Sequence, residues 1–393
     1  MAGTFRTIAK ILTGAGSIRQ LGGVVAALGK RALIVTGSGS VSRSGALAKA
    51  RESLSEAGID FEEHPGVLPE PDLATVELVR GRIHEGFDVV VSIGGGSVID
   101  AAKAAAGLAR EDGSVREYQA GRAVETRGVA HIAVPTTAGT GAEVTPNAVI
   151  TDPDGPLKSS IRGETLYPAA AVVDPELLLT LPKRLTAESG MDALVQAIES
   201  YVSIHATPLT DALSLHAITL LARGLVSAYE DGADLDARSD CASGSLAAGV
   251  ALANARLGVV HGIAHPLGAR LGVAHGQVCA TLLPASIRLN VHAAPEKYDE
   301  VSRRLLAGFS TAGSRGVTAP GLTPDEVERK APRADVLIDD LLVRLDMPKT
   351  IPGLTPDAFP VIVKESMPSG SLKANPLTIE EKHVEELLRE VTG

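Results

Sequence analysis

The first 176 residues alternate short apolar runs with stretches of helical spacing. The apolar runs are rich in Val, Ile and Ala, which predicts strands, and they show no polar face. Strands that are apolar on both faces are typical of a parallel sheet with helices on both sides. The predicted strands are 32–36, 89–93, 132–135 and 170–173, and the predicted helices are 45–57 and 74–86.

From residue 177 onward the pattern changes to long helices rich in Ala and Leu. A chain of 393 residues is too long for one ordinary core. We therefore predict an α/β domain over 1–176 and an all-helical domain over 177–393, with a site expected in the cleft between them. The predicted helices are 186–204, 208–230, 237–256 and 259–270, and the predicted loops are 315–324 and 346–357.

Composition excludes several classes of partner. The formal charge of −10 without a basic stripe argues against a nucleic-acid partner. No apolar run approaches the ~20 residues that cross a bilayer, so we expect no membrane association and a cytoplasmic protein. Cys241 and Cys279 are far apart in Ala-rich segments, which favours two buried thiols over a disulfide.

Two Gly-rich loops follow predicted strands. Gly94, Gly95 and Gly96 precede a helix that opens at Ser97. Glycines let backbone N–H groups approach a phosphate, and a helix N-terminus adds partial positive charge. The first loop alone could be a tight turn without a ligand. The second loop, PTTAGTG at 135–141, makes a dinucleotide the favoured interpretation.

Three histidines, His261, His265 and His275, lie close together among Gly and Ala. The first two are one helical turn apart and project from the same face. Imidazole binds zinc or iron and moves protons near neutral pH. A single histidine in such a helix is more often a core residue, but three of them favour a metal or catalytic site.

These segments together resemble the iron-containing (group III) alcohol dehydrogenases over nearly the whole chain. The resemblance implies a dehydroquinate synthase-like fold: a nucleotide-binding α/β domain followed by a helical domain that holds one divalent metal. It also implies NAD or NADP as cofactor, and a homodimer. It rests on GAGS (14–17), GGGSVIDAAK (94–103), PTTAGTGAEVTPNAVITD (135–152), DPELLLTLP (174–182), SGMDALVQAIESYVS (189–203) and LGVVHGIAHPLGA (257–269).

The resemblance also implies site residues. It implies that His265 does not bind the metal and lies beside the nicotinamide and the substrate. Glu188 and Glu199 are judged from their sequence position alone: we expect surface or helix-end charges, and the alternative is that they support the ligands from behind. The implied metal ligands are Asp192, position 196, His261 and His275. The implied cofactor residues are Gly94, Gly95, Gly96, Ser97, Asp100, Thr136, Thr137, Thr140, Thr145, Lys158 and Leu177.

The chain departs from the family at the second ligand position, where a histidine is usual and this chain has Gln196. An amide oxygen is a weaker donor than imidazole for Fe²⁺ or Zn²⁺. We expect lower iron affinity, with zinc as plausible as iron. His265 is a candidate to compensate by moving toward the metal.

A second departure concerns cofactor choice. Members strict for NAD often carry a carboxylate just after the first strand, where this chain has Gly37 and Ser38. Without that carboxylate there is no repulsion against a 2′-phosphate, so NADP becomes admissible. The alternative is that Gly37 merely fits a turn. A complete G-x-G-x-x-G motif is missing from this segment.

Hydride transfer between NAD(P) and a primary alcohol/aldehyde pair is the function we predict, with a small-molecule substrate and a metal as Lewis acid. His265 is predicted to shuttle the alcohol proton. Three alternatives remain: a metal-independent enzyme resembling maleylacetate reductases, a lyase or cyclase resembling dehydroquinate synthase, and a non-catalytic nucleotide-binding module.

Overall fold

A computed structural model describes residues 4–39, 41, 44–154, 158–311 and 333–393, with only the backbone of Lys158. These residues form two compact units, one of residues 5–181 and one of residues 182–393 together with Thr4. The first unit contains all eight described strands, and the second consists of helices and loops. The predicted α/β-plus-helical fold class is confirmed.

Six strands of the first unit form one parallel sheet. Val, Ile and Ala dominate its central strands because both faces are covered and admit no polar side chain. Two further strands, β6 (Asn147–Thr151) and β7 (Lys158–Arg162), pair antiparallel. The order across the main sheet is β1 (Ile11–Thr13), β8 (Ala170–Val173), β5 (Ala130–Pro135), β4 (Val89–Gly94), β2 (Arg31–Gly37) and β3 (Asp60–Val67).

Helices cover both faces of this sheet. Leu33 and Val35 of β2 pack with α3 and α4 on one face, and Ala32 and Ile34 pack with α1 and α2 on the other. Successive strand residues point to opposite faces, so one continuous apolar run supplies both cores. The helices of this unit are α1 (Leu21–Ala26), α2 (Ala46–Glu56), α3 (Leu73–Ile83), α4 (Gly96–Leu108) and α5 (Val115–Gln119), with 3-10 turns at Ser17–Gln20, Ala142–Val144, Glu164–Leu166 and Pro175–Leu178.

The four predicted strands and the two predicted helices of this unit are confirmed to within three residues at each end. Strands β1, β3, β6 and β7 were not predicted. Strand β3 lies at the edge of the sheet and reads DFEEHPGV. Its glutamates form ion pairs with arginines, such as Glu63 with Arg51 (2.6 Å), so it lacks the apolar run of the central strands.

The described residues of the second unit form helices and loops, apart from one bridge between Ile351 and Thr392. The four helices predicted for it are confirmed, although the first begins at Lys183. Predicted loop 346–357 is confirmed apart from a 3-10 turn at its end, whereas 315–324 lies outside the described residues. The helices are α6 (Lys183–Val202), α7 (Pro208–Glu230), α8 (Leu235–Ala255), α9 (Val259–Leu271), α10 (His275–Asn290), α11 (Pro295–Thr311), α12 (Ala334–Arg344), α13 (Phe359–Ser366) and α14 (Glu381–Glu390), with 3-10 turns at Pro356–Ala358 and Leu372–Ala374.

Helix α7 is long and apolar enough to cross a membrane by length and composition alone, as is the pair α8 and α9, which bends by 104°. In α7, 56% of the most apolar window is buried within the fold. A core helix of a soluble protein passes the same test, and α7 packs mainly against α8 and α6. We therefore interpret α7 as a core helix.

Candidate active site

Three helices of the second unit carry the predicted metal ligands. Asp192 and Gln196 lie one turn apart on α6, and His261 lies in the first turn of α9. His275 is the first residue of α10, which follows the left-handed Gly272 at the end of α9. All but His275 are buried, and its side chain is 28% exposed.

A glycine allows α10 to approach α6 closely. A Cβ atom at Gly276 would lie 2.2 Å from the backbone oxygen of Glu188, a distance that real Cβ contacts do not reach. The missing side chain therefore lets the start of α10 rest on the backbone of α6. This contact holds His275 beside the helix that carries Asp192.

The ligand atoms of Asp192, His261 and His275 converge. Asp192 Oδ1 lies 3.2 Å from His261 Nε2 and 3.7 Å from His275 Nε2. Cys279, one turn after His275 on α10, joins them, and one ligand atom from each of the four residues lies within 4.8 Å of the others. We call Asp192, His261, His275 and Cys279 the donor cluster. Its carboxylate, imidazole and thiol groups suit a divalent transition metal.

Gln196 contacts the donor cluster through its amide nitrogen. Nε2 donates a hydrogen bond to Asp192 Oδ2 at 3.0 Å. The carbonyl oxygen of Gln196 is buried and forms no hydrogen bond within the described part of the chain. Gln196 therefore orients the Asp192 carboxylate, whose other oxygen, Oδ1, lies near the two histidines.

Glu199 is a buried partner of His261, so the expectation of a surface or helix-end charge is wrong. Its Oε2 lies 2.6 Å from His261 Nδ1, and its Oε1 accepts the N–H of Val260 at 2.7 Å. A carboxylate on the second nitrogen fixes the ring orientation of a metal-binding histidine. Glu188 is also buried, which corrects the same expectation, but it pairs with Arg184 (2.7 Å).

The groups of the donor cluster shift one another's titration. Burial alone would raise the pKa of Asp192, but the hydrogen bond with His261 and the charges of the histidines hold it below its usual value. Burial would lower the pKa of His261, yet the charge of Cys279 and the hydrogen bonds with Asp192 and Glu199 raise it well above the usual value. This environment therefore favours positive charge at the centre of the cluster.

His265 lies beside the donor cluster. It is one turn after His261 on α9, and its ring stacks on that of His275 with the centroids 4.8 Å apart. The rings of His261 and His275 are 5.5 Å apart. The predicted convergence of the three histidines is thus present in the structure, while the role predicted for His265 stays a prediction.

The two Gly-rich loops leave neighbouring strands of the first unit. Gly94 ends β4 and pairs with Pro135, which ends β5. A Cβ atom at Gly96 would lie 2.7 Å from Thr140 Cγ2, so the glycine lets the two loops pack together. Helix α4 begins here without a side-chain cap. Its first N–H groups suit a phosphate, so the loops fit a dinucleotide.

Other predicted cofactor residues take part in contacts within the fold. Asp100 accepts the N–H of Val149 at 3.1 Å and lies 3.5 Å from the buried ammonium group of Lys103. Thr145 Oγ1 accepts a hydrogen bond from Lys103 at 3.3 Å. Asp100 and Thr145 thus belong to one buried polar network. Their direct contact with a cofactor stays a prediction.

The other residues that are predicted to bind the cofactor lie at different places in the first unit. Leu177 is buried in the apolar core on one sheet face, and Lys158 is on β7 with its side chain outside the described part. Gly37 ends β2, next to β4, and Ser38 follows it. Thr136, Thr137 and Ser97 lie in the loops or at the start of α4.

Comparison with known proteins covers both units. The family model "Iron-containing alcohol dehydrogenase" matches residues 9–175, and the model "Fe-containing alcohol dehydrogenase family, C-terminal" matches residues 186–392. The chain belongs to the iron-containing alcohol dehydrogenase family. The resemblance given by the sequence motifs is thereby confirmed, as are the enzyme and oxidoreductase classes.

Individual relatives are similar in sequence to this protein over most of its length. Long-chain-alcohol dehydrogenase 1 of Geobacillus thermodenitrificans (strain NG80-2) is 36% identical over 88% of this chain and 87% of its own length. NAD-dependent methanol dehydrogenase of Bacillus methanolicus is 38% identical over 77% and 80%. The structure of alcohol dehydrogenase from Oenococcus oeni is 31% identical, covers 99% of this chain and 100% of its own, and superposes with a TM-score of 0.89.

Proposed function

We propose that this enzyme oxidises a primary alcohol to an aldehyde with NAD⁺ or NADP⁺, and catalyses the reverse reduction, with the help of one divalent metal. The observation that carries the proposal is the convergence of Asp192, His261 and His275 from three helices of a family member. A cation held by these residues would supply Lewis-acid polarisation of the substrate oxygen. Fe²⁺ and Zn²⁺ both accept such donors.

Protein residues orient the donors. Glu199 accepts the Nδ1 proton of His261, so a cation that displaces the Nε2 proton would meet the Nε2 lone pair on the side of Asp192. Gln196 holds the other carboxylate oxygen of Asp192. His265, stacked on His275, is proposed to accept the alcohol proton and pass it to solvent. General-base catalysis of this kind contributes about 10²–10⁴-fold to a rate.

The cofactor is proposed to bind at the loops after β4 and β5. NAD(P)⁺ bound there would supply the hydride acceptor. The uncapped start of α4 offers N–H groups to the pyrophosphate, and Gly96 allows the loop to lie against Thr140. The absence of a carboxylate at Gly37 supports use of NADP as well as NAD. We also propose a homodimer located in the cytoplasm, which light scattering and cell fractionation test.

The test is an assay of protein stripped with a chelator and reloaded, without oxygen, with Fe²⁺, Zn²⁺ or Mn²⁺. We expect primary alcohols to drive formation of reduced nicotinamide, chelation to abolish it, and at least one metal to restore it. The variant Asp192→Ala should stay inactive, whereas Glu188→Gln, changed on the same helix, should respond like the wild type.

Other outcomes decide among the alternatives. Full activity after exhaustive chelation would favour a metal-independent reductase. No alcohol- or aldehyde-dependent change in nicotinamide absorbance, with either cofactor and any metal, rejects the proposed reaction. Turnover of a substrate without net reduced cofactor would point to a lyase or cyclase instead.

A further inference from the structure

Cys279 occupies a position that neither the sequence motifs nor the proposed reaction explain. It lies one turn after His275 on α10, so both side chains project from the same helix face. Its sulfur is 3.5 Å from His275 Nε2 and 3.9 Å from His261 Nε2. The side chain is completely buried, and the chain's other cysteine, Cys241, is buried on α8 outside the donor cluster.

Four of the six distances among the donors agree with a tetrahedral metal site. With Zn–N and Zn–O bonds of about 2.0–2.1 Å and a Zn–S bond of about 2.3 Å, tetrahedral geometry separates N from O by about 3.3 Å and N from S by about 3.6 Å. The distances from Asp192 Oδ1 to the two histidines are 3.2 and 3.7 Å. The distances from the Cys279 sulfur are 3.5 and 3.9 Å. These four distances differ from the tetrahedral values by at most about 0.4 Å, and the two remaining donor–donor distances are within 4.8 Å.

Gln196 has a different role in this arrangement. Its amide nitrogen already donates to Asp192 Oδ2 at 3.0 Å, which is how residues behind a metal ligand commonly act. A thiolate is also a stronger donor than an amide oxygen for zinc and similar ions. Cys279 therefore offers a donor where the chain lacks a histidine at position 196.

We propose that Cys279 is the fourth metal ligand, together with Asp192, His261 and His275, and that Gln196 positions the Asp192 carboxylate without binding the metal. The inference rests on the proposed metal-dependent function and specifies its donor set. Formation of the metal–sulfur bond releases the thiol proton to solvent, with no change in oxidation state. Because sulfur is a soft ligand, the site favours Zn²⁺ over Fe²⁺.

The test uses Co²⁺ as a spectroscopic substitute in the stripped full-length protein. We expect a sulfur-to-cobalt charge-transfer band in the near ultraviolet at one Co²⁺ per chain. The band should disappear in Cys279→Ser and remain in Cys241→Ser, the matched control, and in Gln196→Ala. Cys279→Ser should also weaken Zn²⁺ affinity by more than the roughly 10–100-fold typical of residues behind the ligands.

A second measurement needs no variant. Zinc X-ray absorption of the wild-type protein should show one sulfur at about 2.3 Å beside nitrogen and oxygen at about 2.0–2.1 Å. A shell of nitrogen and oxygen alone overturns the proposal, as does a cobalt band that survives in Cys279→Ser. A sulfur–metal signature without alcohol turnover supports this inference while rejecting the proposed function, so the two failures are distinguishable.

Discussion

Glu199 shows how one buried carboxylate organises the site at the scale of single residues. It contacts His261 Nδ1 and the N–H of Val260, and therefore holds both the ring and the first turn of α9. Its own helix carries Asp192 two turns earlier, so one face of α6 supplies both the donor and the support for another donor. The His261 ring is therefore held in one orientation before a metal binds.

Replacing Glu199 tests this role. We expect Glu199→Gln to lower metal affinity by roughly 10–100-fold, because a neutral amide orients His261 less strongly than a carboxylate. Competition with a chromogenic chelator measures the affinity. Glu188→Gln is the control, since Glu188 is on the same helix but pairs with Arg184. Equal affinities in the wild type and Glu199→Gln would contradict the role.

Cofactor choice can be tested at Gly37. A Cβ atom there would meet Val98 and Val67 at ordinary distances of 3.4 and 3.5 Å, so Gly37→Asp is sterically acceptable. Like charges about 4 Å apart repel by about 1–4 kcal/mol. We therefore expect kcat/KM with NADP to fall roughly tenfold or more relative to NAD. Gly23→Asp, at an exposed position of α1, is the control, and an unchanged ratio in Gly37→Asp would refute the interpretation.

Motifs could predict that Asp192, His261 and His275 come together, because the resemblance implies metal ligands at these positions, while their binding of a metal stays a prediction. Glu199 and Cys279 were missed for different reasons. Cys279 is one helical turn after His275, a spacing that could have revealed it. Glu199 lies two turns after Asp192, but the sequence does not show that α9 begins against this face.

At the scale of elements, apolar runs predicted the central strands, because a strand that is buried on both faces admits only apolar side chains. The edge strand β3 could not be found this way, because its side chains meet solvent and arginines. The packing of α10 on α6 could not be predicted either, since the sequence does not show which backbone Gly276 contacts. Pairing and close approach depend on the assembled fold rather than on local pattern.

The central sheet contains a buried histidine, His131, whose protonation should affect the free energy of unfolding. His131 on β5 is buried, and its Nε2 lies 2.8 Å from Ser92 Oγ. Burial, aided by the charge of Lys103, lowers the pKa of His131 from 6.5 to about 3. Below pH 6.5 the unfolded chain binds a proton that the folded chain does not. Stability is therefore lost as pH falls from about 6.5 toward about 3, by about 1.4 kcal/mol per pH unit.

The variant His131→Gln removes this proton linkage. Between pH 6.5 and pH 5, we expect the wild type to lose about 1.6 kcal/mol more free energy of unfolding than the variant does. Urea titrations at the two pH values measure the difference. His292→Gln, changed at an exposed position, should follow the wild type. Parallel losses in the wild type and His131→Gln would show that His131 does not titrate as described.

At the scale of the whole molecule, the proposed cofactor loops and the donor cluster lie in different units. The Gly-rich loops belong to residues 5–181, and all four donors belong to residues 182–393. Both family models and the relatives extend over both units, so the proposed cofactor and metal sites belong to one enzyme. The proposed function depends most on metal binding by the helical unit despite Gln196.

Elemental analysis after equilibration with Zn²⁺ and removal of loosely bound ions tests that binding most directly. We expect one zinc per wild-type chain and a large loss in Asp192→Ala, which removes a donor shared by both histidine contacts. Glu188→Gln should retain the full amount. A wild-type protein without bound metal, or the same zinc content in Asp192→Ala, would contradict the proposed function.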